Sequence, residues 1–321
     1  MFRIVLTMIV ELAVFQTASP AAAQDYPSRP VRIVFPLAAG GGGDVFTRAL
    51  ADELQKAWHQ PVVVENRPGG AGSVAVSALN AAPADGHTLM VTDGATVTVN
   101  PALFKSLTYA AKDVPGVALL GRAPLFLVAH ADVPVNSLKE FIDYVKANPG
   151  KVNYGSSGVG SAHHLSMEAM KAALGLNMTH VPYRGTGQSV PALLGGHVQV
   201  IFSAYPSLAA AIADKRVKLL ATNGAQPSPQ APGVPPIASV IPGFDLATMV
   251  GIFARAGTPL AVLEKIAAEA IAVVRMPETQ KQLAAAGIEP VGEGGAAFNK
   301  YLAAEAAYVA KLIESAGIKV E

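Results

Sequence analysis

Short apolar runs alternate with amphipathic stretches along most of the chain, and that alternation narrows the folds open to it. Runs 31–35, 61–65 and 88–92 are rich in Val, Ile and Phe and read as strands, while 44–58 and 73–80 carry helical spacing. Beyond Pro124 the run 125–129 is apolar again. Ser137 and Glu140 stand at capping-box spacing and open a helix that Pro149-Gly150 stops. The same grammar continues with strands at 198–202, 218–222 and 250–254. Helices follow at 162–174, 189–194, 208–214, 260–274, 277–286 and 296–315, and a Pro-rich loop occupies 227–236. Strands feeding helices imply an α/β protein with parallel sheets covered by helices, because a parallel pair needs a long crossover. The length suggests about two domains.

A strand feeding a Gly-rich loop feeding a helix occurs twice, at 31–58 and at 152–174. Ligands of parallel sheets sit at such loops, beyond the carboxyl ends of the strands. Two of them imply two lobes facing across a cleft. The first loop runs Pro36-Leu37-Ala38-Ala39-Gly40-Gly41-Gly42-Gly43-Asp44. Its glycines let backbone N–H groups turn inward, and the helix behind offers its positive end, so the loop suits an anion without any charged side chain. Asp44 either meets the ligand or caps its own helix. No Gly-Lys-Ser/Thr follows, which excludes a P-loop, and the spacing is not a dinucleotide fingerprint.

The second loop offers Ser156, Ser157, Gly158, Gly160 and Ser161, adding hydroxyl donors to the same logic. His163 and His164 follow, but neighbours on a helix point in different directions. No third ligand falls at metal-binding spacing, so no metal and no cofactor are expected. Gly-Val-Gly-Ser161-Ala lacks the Gly-x-Ser-x-Gly elbow, and nothing in the sequence places a histidine beside a serine. No catalytic residue is therefore nominated. Tyr183 and Arg184 follow a short extended run; Arg184 either grips a carboxylate or stands solvated at the surface.

Composition removes further classes. The chain has 321 residues, with 24 Lys+Arg against 23 Asp+Glu, a net charge of +1 that argues against nucleic acid as a partner. It has no Cys, which excludes disulfide scaffolds, cysteine nucleophiles and thiolate metal sites. Only 15% of residues are charged, so a membrane segment has to be considered. The apolar run 4–15 is broken by Glu11 and is too short to span a bilayer. With Arg3 before it and Ala21-Ala22-Ala23 after it, segment 1–23 reads as a cleaved secretory signal peptide.

Several motifs, in order, carry a resemblance. They are Tyr26-Pro-Ser-Arg-Pro-Val-Arg-Ile-Val-Phe-Pro36, the Gly run ending at Asp44, and Pro61-Val-Val-Val-Glu-Asn-Arg-Pro-Gly-Gly-Ala-Gly72. Ala84-Asp-Gly-His-Thr-Leu89, Lys146-Ala-Asn-Pro-Gly-Lys-Val-Asn-Tyr-Gly-Ser156, His180-Val-Pro-Tyr-Arg-Gly185 and Ala256-Gly-Thr-Pro259 continue it. Together they resemble the Bug-type extracytoplasmic solute receptors of tripartite tricarboxylate transporters. The resemblance implies a type II periplasmic binding protein fold with two lobes around a ligand cleft. It puts domain 1 at 24–124 plus 248–321 and domain 2 at 125–247. It further implies a periplasmic monomer without enzymatic activity, a small organic acid as ligand, and integral membrane transporter subunits as partners. The ligand would lie between Ala39–Asp44 and Ser156–Ser161.

Three departures from the family pattern bear on the ligand. Gly43 stands where a hydroxyl residue is common, Asp93-Gly94 replaces a Thr-Ser or Thr-Asn pair, and Phe202-Ser203-Ala204 replaces Phe-Asp-Asn. A carboxylate at 93 disfavours an anionic ligand unless the ligand also carries a cation or a donor hydroxyl. The ligand profile is then expected to shift from the commonest dicarboxylates, unless Asp93 points away or caps a turn. Two other readings use the same cleft: a hydrolase or isomerase, which needs a base and a nucleophile in reach, and an orphan sensory receptor.

Overall fold

The computed structural model describes residues 26–40 and 42–319. The signal peptide expected over 1–23 lies outside the described residues, as does Gly41.

The chain opens with β1 (Val31–Phe35), α1 (Gly42–Trp58), β2 (Val62–Asn66), α2 (Ser73–Asn80) and β3 (Thr88–Asp93). Two short helices, α3 (Ala95–Thr98) and α4 (Asn100–Leu103), lead to β4 (Gly116–Ala123). A second set comprises β5 (Phe126–His130), α5 (Leu138–Ala147), β6 (Asn153–Ser156), α6 (Ala162–Leu174), β7 (Thr179–Pro182), α7 (Thr186–Leu194), β8 (Val200–Ser203), α8 (Tyr205–Ala213) and β9 (Val217–Thr222). The chain ends with β10 (Thr248–Ala254), α9 (Leu260–Val274), α10 (Pro277–Ala285), β11 (Glu289–Gly294) and α11 (Gly295–Ala316).

Two sheets result, ordered β11-β4-β10-β3-β1-β2 and β7-β6-β8-β5-β9. They are not wholly parallel, in contrast to what the alternation implies. β1 is parallel to β2 and β3, but β10 runs against both β3 and β4, and β11 against β4. In the second sheet β6 is parallel to β7 and β8, and β5 runs against β8 and β9. The cause is the path of the chain, which crosses between the sheets twice. β4 passes through Pro124-Leu125 directly into β5, and 223–247 leads from β9 back to β10. A strand that enters a sheet from the other lobe starts at the cleft, so it opposes strands that end there.

Local packing explains why the elements form. Phe46, Leu50, Leu54 and Trp58 recur every fourth residue of α1 and are buried in one cluster with Val31 and Ile33. Each such side chain contributes roughly 1.5–3 kcal/mol on burial. Ser137 caps α5 by accepting from the N–H of Glu140 at 3.2 Å, and Glu140 accepts from the N–H of Asn136 at 2.7 Å. β4 escapes an alternation test because six consecutive residues, 116–121, are buried. β11 escapes it because Glu-Pro-Val-Gly-Glu-Gly is polar; it is an edge strand, where proline is tolerated.

Helix α11 straps the molecule. Phe298 and Leu302 in its first half join the core around Met249 and Phe253. Val309, Leu312 and Ile313 in its second half join the core of the other lobe, with Leu165 and Met170 of α6. Gly116 and Gly251 admit the Phe298 ring to the first sheet: a Cβ at Gly116 would stand 2.5 Å from it, and one at Gly251 would collide with it too.

Candidate ligand cleft

The cleft lies between the sheets and has a volume of about 700 Å³. Its wall is largely apolar, with Phe35, Val91, Leu246, Ile288 and Val309 among the contributors. Among the described residues no Lys or Arg side chain lines it.

The first loop is folded by its own aspartate. The Asp44 carboxylate accepts from the Gly40 N–H at 3.0 Å, from Asn66 Nδ2 at 2.8 Å and from Arg48 Nε at 3.0 Å. Asn66 also donates to the Leu37 carbonyl at 3.0 Å, which ties both ends of the loop to β2. The Arg48 guanidinium, the Gly40 N–H and Asn66 together hold the Asp44 carboxyl down at about 2. Asp44 is thus committed to its own loop and does not line the cleft. Gly43 does, beside Leu37 and Ala38, whereas Ala39 and Gly40 do not.

Asp93 ends β3 and lines the cleft with its side chain open to it. The protein packed around it pushes its carboxyl up, and the N–H groups of Ala95 and Thr96 offset part of that rise. Gly94 is buried behind it and donates its N–H to the Met249 carbonyl at 2.7 Å.

The second loop runs into α6. Ser161 caps that helix, accepting from the His164 N–H at 3.3 Å and donating to the Gly158 carbonyl at 2.7 Å. Gly160 donates its N–H to His164 Nδ1 at 3.1 Å. Behind the loop the His164 ring stacks on His180 with centroids 4.1 Å apart, and His180 on Tyr154 at 4.7 Å. Tyr154 donates to Glu168, which also takes a hydrogen bond from Lys171 at 2.6 Å. Burial, then the neighbouring His164, pushes His180 down to about 4, so this column is uncharged imidazole near neutral pH.

Contrary to the sequence expectation, the fold does set histidines beside serines. Ser157 Oγ lies 2.7 Å from His163 Nδ1, and Ser156 Oγ lies 2.7 Å from His180 Nε2. Helix α6 brings the first pair together and the β6–β7 pairing the second. Burial pushes His163 down to about 4, which makes it a weak base at neutral pH.

Ser157, Gly160 and Ser161 line the cleft along with His163; Ser156, which is buried, and Gly158 do not. Tyr183 is set against Gly155 in the second-lobe core. Arg184 is exposed and off the cleft wall, its N–H donating to Gln188 Oε1 at 3.0 Å. Ser203 is fully buried, its hydroxyl without a partner.

One charged wall residue escaped the sequence reading. Glu305 of α11 lines the cleft, and burial pushes its carboxyl up to about 7. The Thr98 hydroxyl and Arg122 pull it down, and Asp245 and Asp93 raise it further. All four lie far away in sequence, and the alanines around Glu305 gave no signal.

This two-lobe α/β architecture, with an interlobe cleft armed by loops rather than by basic side chains, is that of a periplasmic solute-binding protein. Residues 46–318 match the tripartite tricarboxylate transporter family receptor, TctC, and the chain belongs to that family. It is 34% identical to a UPF0065 protein of Bordetella pertussis, covering 89% of this chain and 88% of the relative. Among solved structures, a TctC solute binding protein from Polaromonas superposes with a TM-score of 0.83 at 26% identity, covering 90% of this chain and 99% of the other. Rpa4515 of R. palustris, solved with adipate, gives 0.75 at 29% identity, covering 92% and 99%.

Proposed function

We propose that the chain captures a small organic acid in the periplasm and presents it to integral membrane subunits of a tripartite transporter. The observation that carries this reading is the cleft itself, in a chain of the receptor family. N–H groups at the head of α6 and the Ser157 hydroxyl beside them are the neutral donors that suit a carboxylate in an apolar site, while the Ser161 hydroxyl is engaged by the Gly158 carbonyl. The adipate held by the R. palustris relative supports the same ligand class. Segments 24–124 plus 248–321 and 125–247 act as two lobes that close on the ligand, and the receptor works as a monomer after loss of the signal peptide 1–23. The ligand leaves unchanged, since the base nearest a serine in the cleft is as weak as His163.

A thermal-shift screen of the protein against mono- and dicarboxylates tests this. A true ligand at one hundred times its Kd adds about 2.7 kcal/mol of stability. Hits among carboxylates, recovered intact after overnight incubation, are the expected result. No carboxylate hit, but one among sugars or simple amines, would overturn the ligand class.

A further inference from the structure

The cleft is not uniformly suited to an anion. Its second-lobe side offers the Ser157 hydroxyl and N–H groups at the head of α6, while two carboxyl groups, Asp93 at the end of β3 and Glu305 on α11, line it as well. The one imidazole on the wall, His163, is held neutral near pH 7, and no Lys or Arg among the described residues lines the cleft. Arg122, whose charge reaches Glu305, is paired with Asp245 and stands over the Tyr301 ring, in a small adjoining pocket that Glu305 and Met249 also line; it does not line the cleft itself. Two carboxyl groups thus face an apolar chamber with no cation among its described lining residues. A dicarboxylate filling the chamber would bring a second negative charge against them, which costs more in an apolar site than in water.

We infer that the ligand is an ω-amino acid: a carboxylate held at the Ser157–Ser161 side, an apolar spacer, and an ammonium received by Asp93 and Glu305. This rests on the organic-acid reading above and narrows it. The largely apolar wall suits a hydrocarbon spacer, and the volume of about 700 Å³ leaves room for a six-carbon chain. The raised Glu305 carboxyl supports the assignment, because an incoming ammonium supplies the positive charge that ionises it.

Adipate and 6-aminohexanoate are a matched pair, with six carbons each and differing at one end. Isothermal titration at pH 7.5 with the wild-type protein is expected to show 6-aminohexanoate binding at least ten-fold tighter. Titration at pH 7 in two buffers of different ionisation heat is expected to show proton release with 6-aminohexanoate, as Glu305 gives up its proton. Glu305→Gln and Asp93→Asn, checked for folding by thermal melts, are expected to cut the preference ten-fold or more. Adipate binding as tightly as 6-aminohexanoate to the wild-type protein, or proton uptake with the amino acid, overturns the inference and leaves the organic-acid reading standing. If neither probe and no other carboxylate binds, the organic-acid reading falls and takes this inference with it.

Discussion

Asp44 and Glu305 are both carboxyl groups beside one cleft, and their surroundings push them in opposite directions. Asp44 is lowered from 3.8 to about 2 by the groups that bond it, so the folded state favours its ionised form. That stabilisation is fully present above pH 3.8 and is lost as pH falls through about 2. Asp44→Asn should therefore weaken the protein at pH 5 and flatten its acid-induced loss of stability, as read from urea midpoints between pH 5 and 2.5. Glu305 is raised from 4.5 to about 7, so the folded state holds its proton more tightly than the unfolded chain. Its contribution is most favourable below 4.5 and worsens as pH rises through about 7. Glu305→Gln should raise Tm by about 1–3 °C at pH 8, with the gain disappearing near pH 4.5; equal Tm values at pH 8 would contradict it. The sequence left Asp44 with two roles, ligand contact or helix cap; the fold sets it inside the first turn of α1, where its contacts with Gly40, Arg48 and Asn66 hold the preceding loop instead. It was silent about Glu305, because a helix of Ala and Glu looks the same whether its glutamate faces water or a cleft.

Helices were the most legible parts. The apolar spacing of α9 and the Ser161 cap with the Gly175 stop of α6 lie within each segment, so both helices run where the pattern placed them. Strands fared less evenly, since β4 is buried on both faces and β11 is polar at an edge. The seat of α11 depends on contacts no window contains. Phe298 reaches the sheet only because Gly116 and Gly251, 182 and 47 positions away, carry no side chain. Gly251→Ala puts a methyl into that ring and against the Ala118 carbonyl. A loss of about 1–3 kcal/mol is expected from this overpacking, measured by urea unfolding, with Ser137→Ala, which removes the cap of α5, as a comparison that costs about 1 kcal/mol.

The two lobes are joined by two crossings and by α11. Arg122, just before the first crossing, pairs with Asp245, just before β10, so the crossings are clasped to each other. Ser228 of the returning segment donates to Glu289 of β11 at 2.5 Å, a second tie on the same side. Closure about such a clasp is a hinge motion. A saturating acid should reduce the radius of gyration in small-angle scattering; an unchanged value on binding would mean that the lobes do not move.

What could be read without coordinates was whatever is local: the α/β alternation, the helix caps, the two glycine loops, the +1 charge and the ordered motifs of the receptor family. These depend on residues a few positions apart, or on a count. What required the fold was direction and company. It turned Asp44 into its own loop, opened Asp93 to the cleft, brought Glu305 to the same wall and left Arg184 outside. It also reversed β5 and β10 within their sheets. Each of these is set by a chain that crosses between lobes twice and is strapped by its last helix. The partners that decide a side chain's charge and outlook therefore lie far along the chain, where no sequence pattern connects them.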